Sequence, residues 1–199
     1  MADAVTYYMT PASPYCYLGA ERFTALRRRS DLAVAIKPVE GGLLLPATGG
    51  LPLAQRHPAR KAYRLVELAR WRRHLGMRRM NIEPAFFPVD DRLAGRCIVA
   101  AARLGHDALA LGNALGACVW ERQENVADPT VLRAAIGRVG LPGPQILAEA
   151  ETPACQAAYA ANTDKAVARG VFGVPWYVYR DEPFWGQDRL DFLERALIG

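Results

Sequence analysis

Residues 4–38, AVTYYMTPASPYCYLGAERFTALRRRSDLAVAIKP, carry the first indication of the fold. Side chains alternate in character over residues 5–10 and again over 32–37, a period-two pattern that predicts two strands. Between them Ser13-Pro14 is typical of a helix start, with serine as N-cap and proline at the first helical position. The order is therefore β-α-β, and it predicts two parallel strands joined by a right-handed crossover.

The rest of the chain predicts a helical block followed by a hairpin. A long Gly- and Pro-rich loop is expected at residues 40–58. Helical patterns follow near 59–75, 90–104, 107–123, 129–138, 142–149 and 152–168. Two short strands at 176–179 and 183–185 come next, and Asp188 is the predicted N-cap of a final helix at 189–197.

Without the helical block the order is β-α-β-α-β-β-α, which is that of a thioredoxin-type fold. We therefore predict an α/β protein, a thioredoxin-like fold interrupted by an inserted α-helical domain. Residues 1–58 and 160–199 would form the discontinuous thioredoxin-like domain, and residues 59–159 the inserted helical domain.

Composition narrows the function classes. The chain has 199 residues, 51% of them hydrophobic, and a net charge of +5, which is too modest to imply nucleic-acid binding. No apolar run approaches the roughly 18–20 residues of a membrane span, and no secretory signal is visible. Four widely spaced cysteines without a C-x-x-C or zinc spacing predict free thiols, a cytoplasmic location and no metal site.

Ser13-Pro14-Tyr15-Cys16 is the main candidate for chemistry, because it follows the first strand and opens the first helix. Thioredoxin-like proteins carry C-x-x-C there, and a serine at the first position excludes disulfide exchange through this motif. The helix N-terminus still favours a thiolate or carboxylate placed on it. The alternative is that Ser13 is only an N-cap and Cys16 only a small buried residue.

A second candidate is Val174-Pro175, just before the returning strand. In a thioredoxin fold this bond is cis and faces the active-site turn, which leaves the Val174 backbone free to pair with a peptide-like ligand. The alternative is a plain trans proline that starts a strand. The fold order predicts that Val174 and Ser13 meet in space.

Two further groups are weaker candidates. One is the segment before the last helix, which could hold the charged end of a ligand: Trp185, Gly186, Gln187 and Asp188. The alternative is that Asp188 only caps the helix and Trp185 belongs to the core. Arg60, Lys61 and Arg64 open the first inserted helix, mostly as a solvated face. Lys61 and its neighbours, next to the long loop, are the best candidates there for an anionic substrate, and Asn81 could line the same cleft.

Several of these motifs occur together, in order, in one known family. They are S-P-Y-C-Y-L at 13–18, A-T-G-G-x-P at 47–52, A-R-K-A-Y at 59–63, M-N-I-E-P-A-F-F-P at 80–88, G-V-F-G-V-P at 170–175 and F-W-G-Q-D-R-L at 184–190. The chain resembles the 2-hydroxychromene-2-carboxylate isomerases, relatives of the kappa-class glutathione transferases within the DsbA-like group. The resemblance implies glutathione as cofactor, an aromatic small-molecule substrate and a homodimer.

The resemblance also implies roles for particular residues. Ser13 would be the catalytic serine at the glutathione sulfur, and Val174 would pair with the cysteinyl part of glutathione. The segment from Trp185 to Asp188, through Gly186 and Gln187, would hold the γ-glutamyl end. Lys61 and Asn81 would lie on the substrate side.

The implied reaction is the cis-trans isomerisation of an aromatic keto acid, from 2-hydroxychromene-2-carboxylate to a trans-hydroxybenzylidenepyruvate, in the degradation of aromatic compounds. The glutathione thiolate would add to an unsaturated carbon; the ring would open, the bond rotate, and the thiol leave. One alternative is a kappa-class-like glutathione transferase or peroxidase. Another is a DsbA-fold peptide-binding module without redox activity.

Overall fold

The computed structural model describes residues 4–30 and 32–198. The strands are β1 (Ala4–Met9), β2 (Ala33–Pro38), β3 (Trp176–Tyr179) and β4 (Glu182–Trp185). The helices are α1 (Pro14–Arg29), α2 (Gly41–Ala47), α3 (Pro58–His74), α4 (Arg92–Arg103), α5 (Ala108–Trp120), α6 (Pro129–Arg138), α7 (Gly143–Ala150), α8 (Pro153–Ala168) and α9 (Leu190–Ile198). Short 3-10 turns lie at Leu53–Gln55 and Gln187–Arg189.

The sheet has the order β2-β1-β3-β4. β1 and β2 are parallel, β1 and β3 are antiparallel, and β3 and β4 form a hairpin. The hairpin turn is Arg180-Asp181, and both residues have positive φ (47° and 65°), as the tight turn of a two-residue hairpin requires. The predicted thioredoxin-like α/β fold is confirmed by this topology.

Both faces of the central strand β1 are buried, and this places the core. On one face Tyr7 stacks on Tyr177 with ring centroids 4.8 Å apart, and Phe23 of α1 packs against both rings. On the other face Tyr8 packs in a second cluster that includes Trp176. Because the sheet is covered on both sides, its strand ends and the loops beyond them are the places left for a ligand.

Two local predictions are wrong. Residues 40–58 are not a continuous loop, because Gly41–Ala47 forms α2; Leu44 is buried there and its N–H donates to the Glu40 carbonyl (2.9 Å). Asp188 is not the N-cap of the last helix. It lies inside the turn Gln187–Arg189, and α9 starts two residues later.

The predicted division into two domains stays a prediction. The proposed boundary at residue 160 falls inside α8, and one cluster of buried side chains includes residues from both parts, for example Tyr7 and Leu111. None of the helices in residues 4–30 and 32–198 is long and apolar enough to cross a membrane.

Candidate functional site

The N-terminus of α1 is built around Ser13. Its extended backbone (φ −81°, ψ 120°) and side chain cap the helix, and its hydroxyl oxygen accepts from the Cys16 N–H at 3.3 Å. Pro14 has no N–H to satisfy, and the Tyr15 N–H donates to none of the described residues. The predicted helix start is confirmed, and one free amide with the positive end of the helix dipole lies beside Ser13.

Val174 faces this turn, as the fold order predicts. The Ser13 hydroxyl donates to the Val174 carbonyl at 3.4 Å, and the Val174-Pro175 bond is cis. A 3.4 Å contact is at the long limit for a hydroxyl donor, so the Ser13 proton is available to a better acceptor. The Val174 N–H donates to no other residue in 4–30 and 32–198.

Cys16 is buried next to Tyr7 and Ser13. Burial raises the pKa of its thiol to about 11, although hydrogen bonds with Ser13 and Thr10 act in the opposite direction. Cys16 is therefore a neutral thiol near pH 7 and not a nucleophile. The interpretation of Cys16 as a small buried residue fits the structure, and all four cysteines are free.

A cleft in front of Ser13 and Val174 has two joined parts. The first, of about 530 Å³, we call the polar cavity; it is lined by Gly186, Gln187, Asp188, Arg56, Arg60, Glu67 and their neighbours. The second, of about 500 Å³, we call the apolar cavity; it is lined by Ser13, Leu44, Leu53, Arg64, Phe87, Asp91 and their neighbours. Both are lined by Tyr15, Leu45, Arg56, Phe172, Val174 and Trp185.

The polar cavity offers groups of both charges. Gly186 has φ +103°, its N–H donates to the Pro175 carbonyl (2.9 Å), and a Cβ there would collide with the Asp188 carboxylate. Only glycine fits that geometry, and it brings the turn Gln187–Arg189 close to Pro175. Asp188 pairs with Arg189 at 2.7 Å on a solvent-accessible edge, so its carboxylate remains reachable by a ligand cation.

The apolar cavity holds a buried carboxyl group near its Ser13 end. Asp91 Oδ2 accepts from the Thr10 hydroxyl and from the Ala12 N–H (3.0 Å). Burial raises the pKa of Asp91 to about 6. Asp91 therefore fixes the segment that leads into the Ser13 turn.

The structure brings together most of the predicted site residues. Ser13 lines the apolar cavity, Gly186, Gln187 and Asp188 line the polar cavity, and Val174 and Trp185 line both. Trp185 is 51% exposed rather than core.

Lys61 and Asn81 are not brought to the lining of either cavity. Lys61 Nζ donates to the Ala54 carbonyl at 2.8 Å. The Asn81 side chain donates to Gln123 and accepts from the Glu83 N–H, both at 3.0 Å. Their assignment to the substrate side stays a prediction.

Sequence reasoning missed Arg56, Phe87 and Asp91 as lining residues, and it named Arg64 only within a group that is mostly a solvated face. One signal was available for the arginines of α3. Arg60, Arg64, Glu67 and Trp71 are spaced by four, three and four residues, which places them on one helix face, and that face lines the cleft. No local signal marked Asp91, since an acidic residue before a helix is an ordinary cap.

Comparison with known proteins finds similar proteins over nearly the whole chain. The chain is 28% identical over 200 residues to the 2-hydroxychromene-2-carboxylate isomerase of Sphingobium xenophagum, covering 100% of both chains. Its fold is similar to that of a solved 2-hydroxychromene-2-carboxylate isomerase (TM-score 0.84, 24% identity, covering 98% of this chain and 94% of that one). It is also similar to the cytosolic disulfide reductase DsbM of Pseudomonas aeruginosa solved with GSH (TM-score 0.66, 17% identity, covering 98% and 100%).

A family model described as the DSBA-like thioredoxin domain matches residues 4–198. That range includes all four strands described above, the Ser13 turn, the helical block and the last helix. The chain belongs to the family of DSBA-like thioredoxin domains.

Proposed function

We propose that this chain is an isomerase that uses glutathione to convert an aromatic keto acid of the 2-hydroxychromene-2-carboxylate type from cis to trans. The observation that carries the proposal is the position of Ser13. Its hydroxyl lies at a helix N-terminus, 3.4 Å from the Val174 carbonyl, in the wall of the apolar cavity beside the polar one. The isomerase names of the relatives support the reaction class.

The residues of the polar cavity fit glutathione. Asp188 would pair with the ammonium group of the γ-glutamyl unit. Arg56 and Arg60 would pair with the carboxylates of glutathione. The Val174 N–H would pair with the cysteinyl unit in the manner of an added strand. A related fold solved with GSH, DsbM, supports this choice of cofactor.

When bound, glutathione supplies a thiolate nucleophile that adds to the substrate and leaves unchanged. Ser13 would turn its proton from the distant Val174 carbonyl towards the sulfur, because a thiolate is the stronger acceptor. The free Tyr15 N–H and the helix dipole would hold the same negative charge. Cys16 stays protonated and does not compete for that position.

Turnover of 2-hydroxychromene-2-carboxylate with and without glutathione tests the proposal. We expect isomerisation only with glutathione, and as much free thiol at the end as at the start. Loss of thiol into a conjugate or disulfide would instead indicate the kappa-class-like transferase or peroxidase. If the protein does not bind glutathione at millimolar concentration, the remaining alternative is the peptide-binding module without redox activity.

We also propose a homodimer and a cytoplasmic location. Exposed apolar side chains on α3 support the dimer, namely Tyr63 (60% exposed) and Val66 (50%). Free, buried cysteines are compatible with a reducing compartment. Light scattering on Tyr63→Ser against the wild type tests the dimer, and fractionation of the source cells tests the location.

A further inference from the structure

Helix α3 presents one row of side chains to the cleft, and its members face different cavities. Arg60, Glu67 and Trp71 line the polar cavity. Arg64 lines only the apolar cavity, with Ser13. Of the three arginines in that wall, Arg92 pairs with Asp90 and Arg56 also lines the polar cavity, so Arg64 calls for a separate explanation.

The surroundings of Arg64 are aromatic. Its guanidinium carbon lies 5.1 Å from the ring centroid of Phe87 and 5.9 Å from that of Trp120. Nη2 is buried and has no hydrogen-bond partner within residues 4–30 and 32–198. Burial lowers the pKa of Arg64, yet a guanidinium remains charged at neutral pH.

Such an arrangement is unfavourable without an anion. A buried charge is normally paired, because desolvation costs several kcal/mol that only a close counter-charge offsets. Arg138, by contrast, pairs with Glu124 at 2.6 Å, and Arg22 donates to the backbone carbonyl and side chain of Gln187. No salt bridge joins Arg64 to a carboxylate of the described residues.

Of the three acids in the wall of the same cavity, Glu40 forms no salt bridge with Arg64 and the other two are engaged elsewhere. Asp90 is paired with Arg92 at 2.6 Å, and Asp91 accepts from Thr10 and Ala12. Arg56 lines both cavities and adds positive charge near Arg64. The charge of Arg64 therefore remains available to an anion that enters the apolar cavity.

We infer that Arg64 binds the carboxylate of the substrate and that the apolar cavity beside Phe87 holds its aromatic ring. This inference rests on the proposed function and adds a specificity determinant to it: the apolar cavity would select aromatic acids over neutral aromatic compounds. A carboxylate at Arg64 would supply the counter-charge that the described residues do not. It would also hold the acid in the cavity whose wall contains the Ser13 hydroxyl.

Binding of a matched pair of probes tests the inference without turnover. The probes are trans-cinnamate and cinnamamide, which differ in charge but hardly in shape. They are titrated into glutathione-loaded protein while the intrinsic tryptophan fluorescence is followed. We expect the wild type to bind cinnamate at least about tenfold more tightly than cinnamamide, as a charge-assisted bond implies. Arg64→Met should bring the two affinities within about twofold, and Arg64→Lys should keep part of the preference.

Arg73→Met is the matched control, because Arg73 is an exposed arginine on the same helix and lines neither cavity. This variant should keep the full preference. Glutathione affinity and melting temperature should change little in Arg64→Met. If that variant does not fold, Arg64→Gln is judged by the same criterion.

The kinetic signature should be a split between KM and kcat. In Arg64→Met we expect KM for 2-hydroxychromene-2-carboxylate to rise about ten- to a hundredfold, with a smaller change in kcat. Equal affinities for both probes in the wild type, or an undiminished preference in Arg64→Met, would overturn the inference while the isomerase proposal stands. If the preference for cinnamate over cinnamamide depends on Arg64 but the protein shows no isomerase turnover, the carboxylate subsite is supported and the isomerase proposal is overturned.

Discussion

Two helix N-termini of this chain share one local design. Ser13-Pro14-Tyr15-Cys16 opens α1 and Thr152-Pro153-Ala154-Cys155 opens α8. In each the cap hydroxyl accepts from the cysteine N–H three residues later, at 3.3 Å and 3.2 Å, and the cysteine is buried. The capping chemistry is the same at both positions.

Their surroundings differ. The Thr152 hydroxyl donates to the Glu149 carbonyl at 2.8 Å, within its own chain segment, and Thr152 lines neither cavity. The Ser13 hydroxyl donates across the fold to Val174, in front of the cleft. A capped helix end is thus a structural feature that becomes a candidate site only where a second element faces it.

The largest expected effect concerns what fixes the Ser13 turn. The pKa of Asp91 is raised to about 6 by burial, from a value near 4 in the unfolded chain, so the native carboxyl holds its proton more tightly than the unfolded one. Stability should therefore be lost as pH rises from about 4 to about 6, by about 3 kcal/mol in total. Asp91→Asn keeps an acceptor for Thr10 and Ala12. In this variant the free energy of unfolding, measured with urea at a series of pH values, should not show this loss.

Asp90→Asn is the neighbouring control. Hydrogen bonds from Arg92 hold the pKa of Asp90 at about 2, so this carboxylate stabilises the fold above pH 4 and the contribution is lost on acidification. The free energy of unfolding that Asp90→Asn loses relative to the wild type should therefore change with pH in the opposite direction and over a lower pH range. An Asp91→Asn profile that follows the wild type would mean that Asp91 is ionised like a surface acid.

The second prediction separates capping from catalysis directly. Ser13→Ala and Thr152→Ala should each cost about 1 kcal/mol of stability, because each removes one cap hydrogen bond. Only Ser13→Ala should also lower kcat with glutathione and 2-hydroxychromene-2-carboxylate, by about ten- to a hundredfold, as loss of a hydrogen bond to a thiolate implies. If Ser13→Ala and Thr152→Ala have equal kcat, Ser13 acts only as the N-cap of α1.

The third prediction concerns the turn at Gly186, whose N–H donates to the carbonyl of Pro175, the residue after Val174. Gly186→Ala forces a side chain into a backbone region that only glycine adopts readily and against the Asp188 carboxylate. Strain of this kind costs about 1–3 kcal/mol, and the free protein would relieve it by moving the turn away from Pro175. We therefore expect glutathione affinity measured by calorimetry to fall about tenfold. Gly137→Ala, in α6 with open space at its Cβ, is the control and should leave glutathione affinity unchanged.

Local chemistry could be predicted from the sequence. The starts of α1, α6 and α8 follow from a capping side chain before proline, at Ser13, Asp128 and Thr152. The meeting of Ser13 with Val174 followed from fold order, because it depends on topology alone. Helix α2 was missed since Gly41-Gly42 and Pro46 are typical of loops, while the burial of Leu44 stabilises a helix there.

The apolar cavity could not be predicted, because it is assembled by packing. Arg64, Phe87 and Asp91 come from α3, an irregular link and the start of α4, and each has an ordinary local explanation. Their common role appears only when the angle of α3 against the Ser13 turn is known. The same packing places Arg60 on the cleft face of α3, and Lys61, which is rotated from it by about 100°, lies outside that face.

The smallest expected effect belongs to Lys61. Its ammonium group donates to the Ala54 carbonyl and lies outside both cavities, so Lys61→Met should change KM for 2-hydroxychromene-2-carboxylate by less than about twofold, which is the size of a surface substitution. Arg64→Met, three residues later on the same helix, supplies the comparison, because both variants remove one positive charge from α3. A rise in KM of more than about fivefold in Lys61→Met, with glutathione affinity unchanged, would return Lys61 to the substrate side. The substrate would then contact two adjacent faces of α3, and the cleft face alone would no longer define the specificity of this chain.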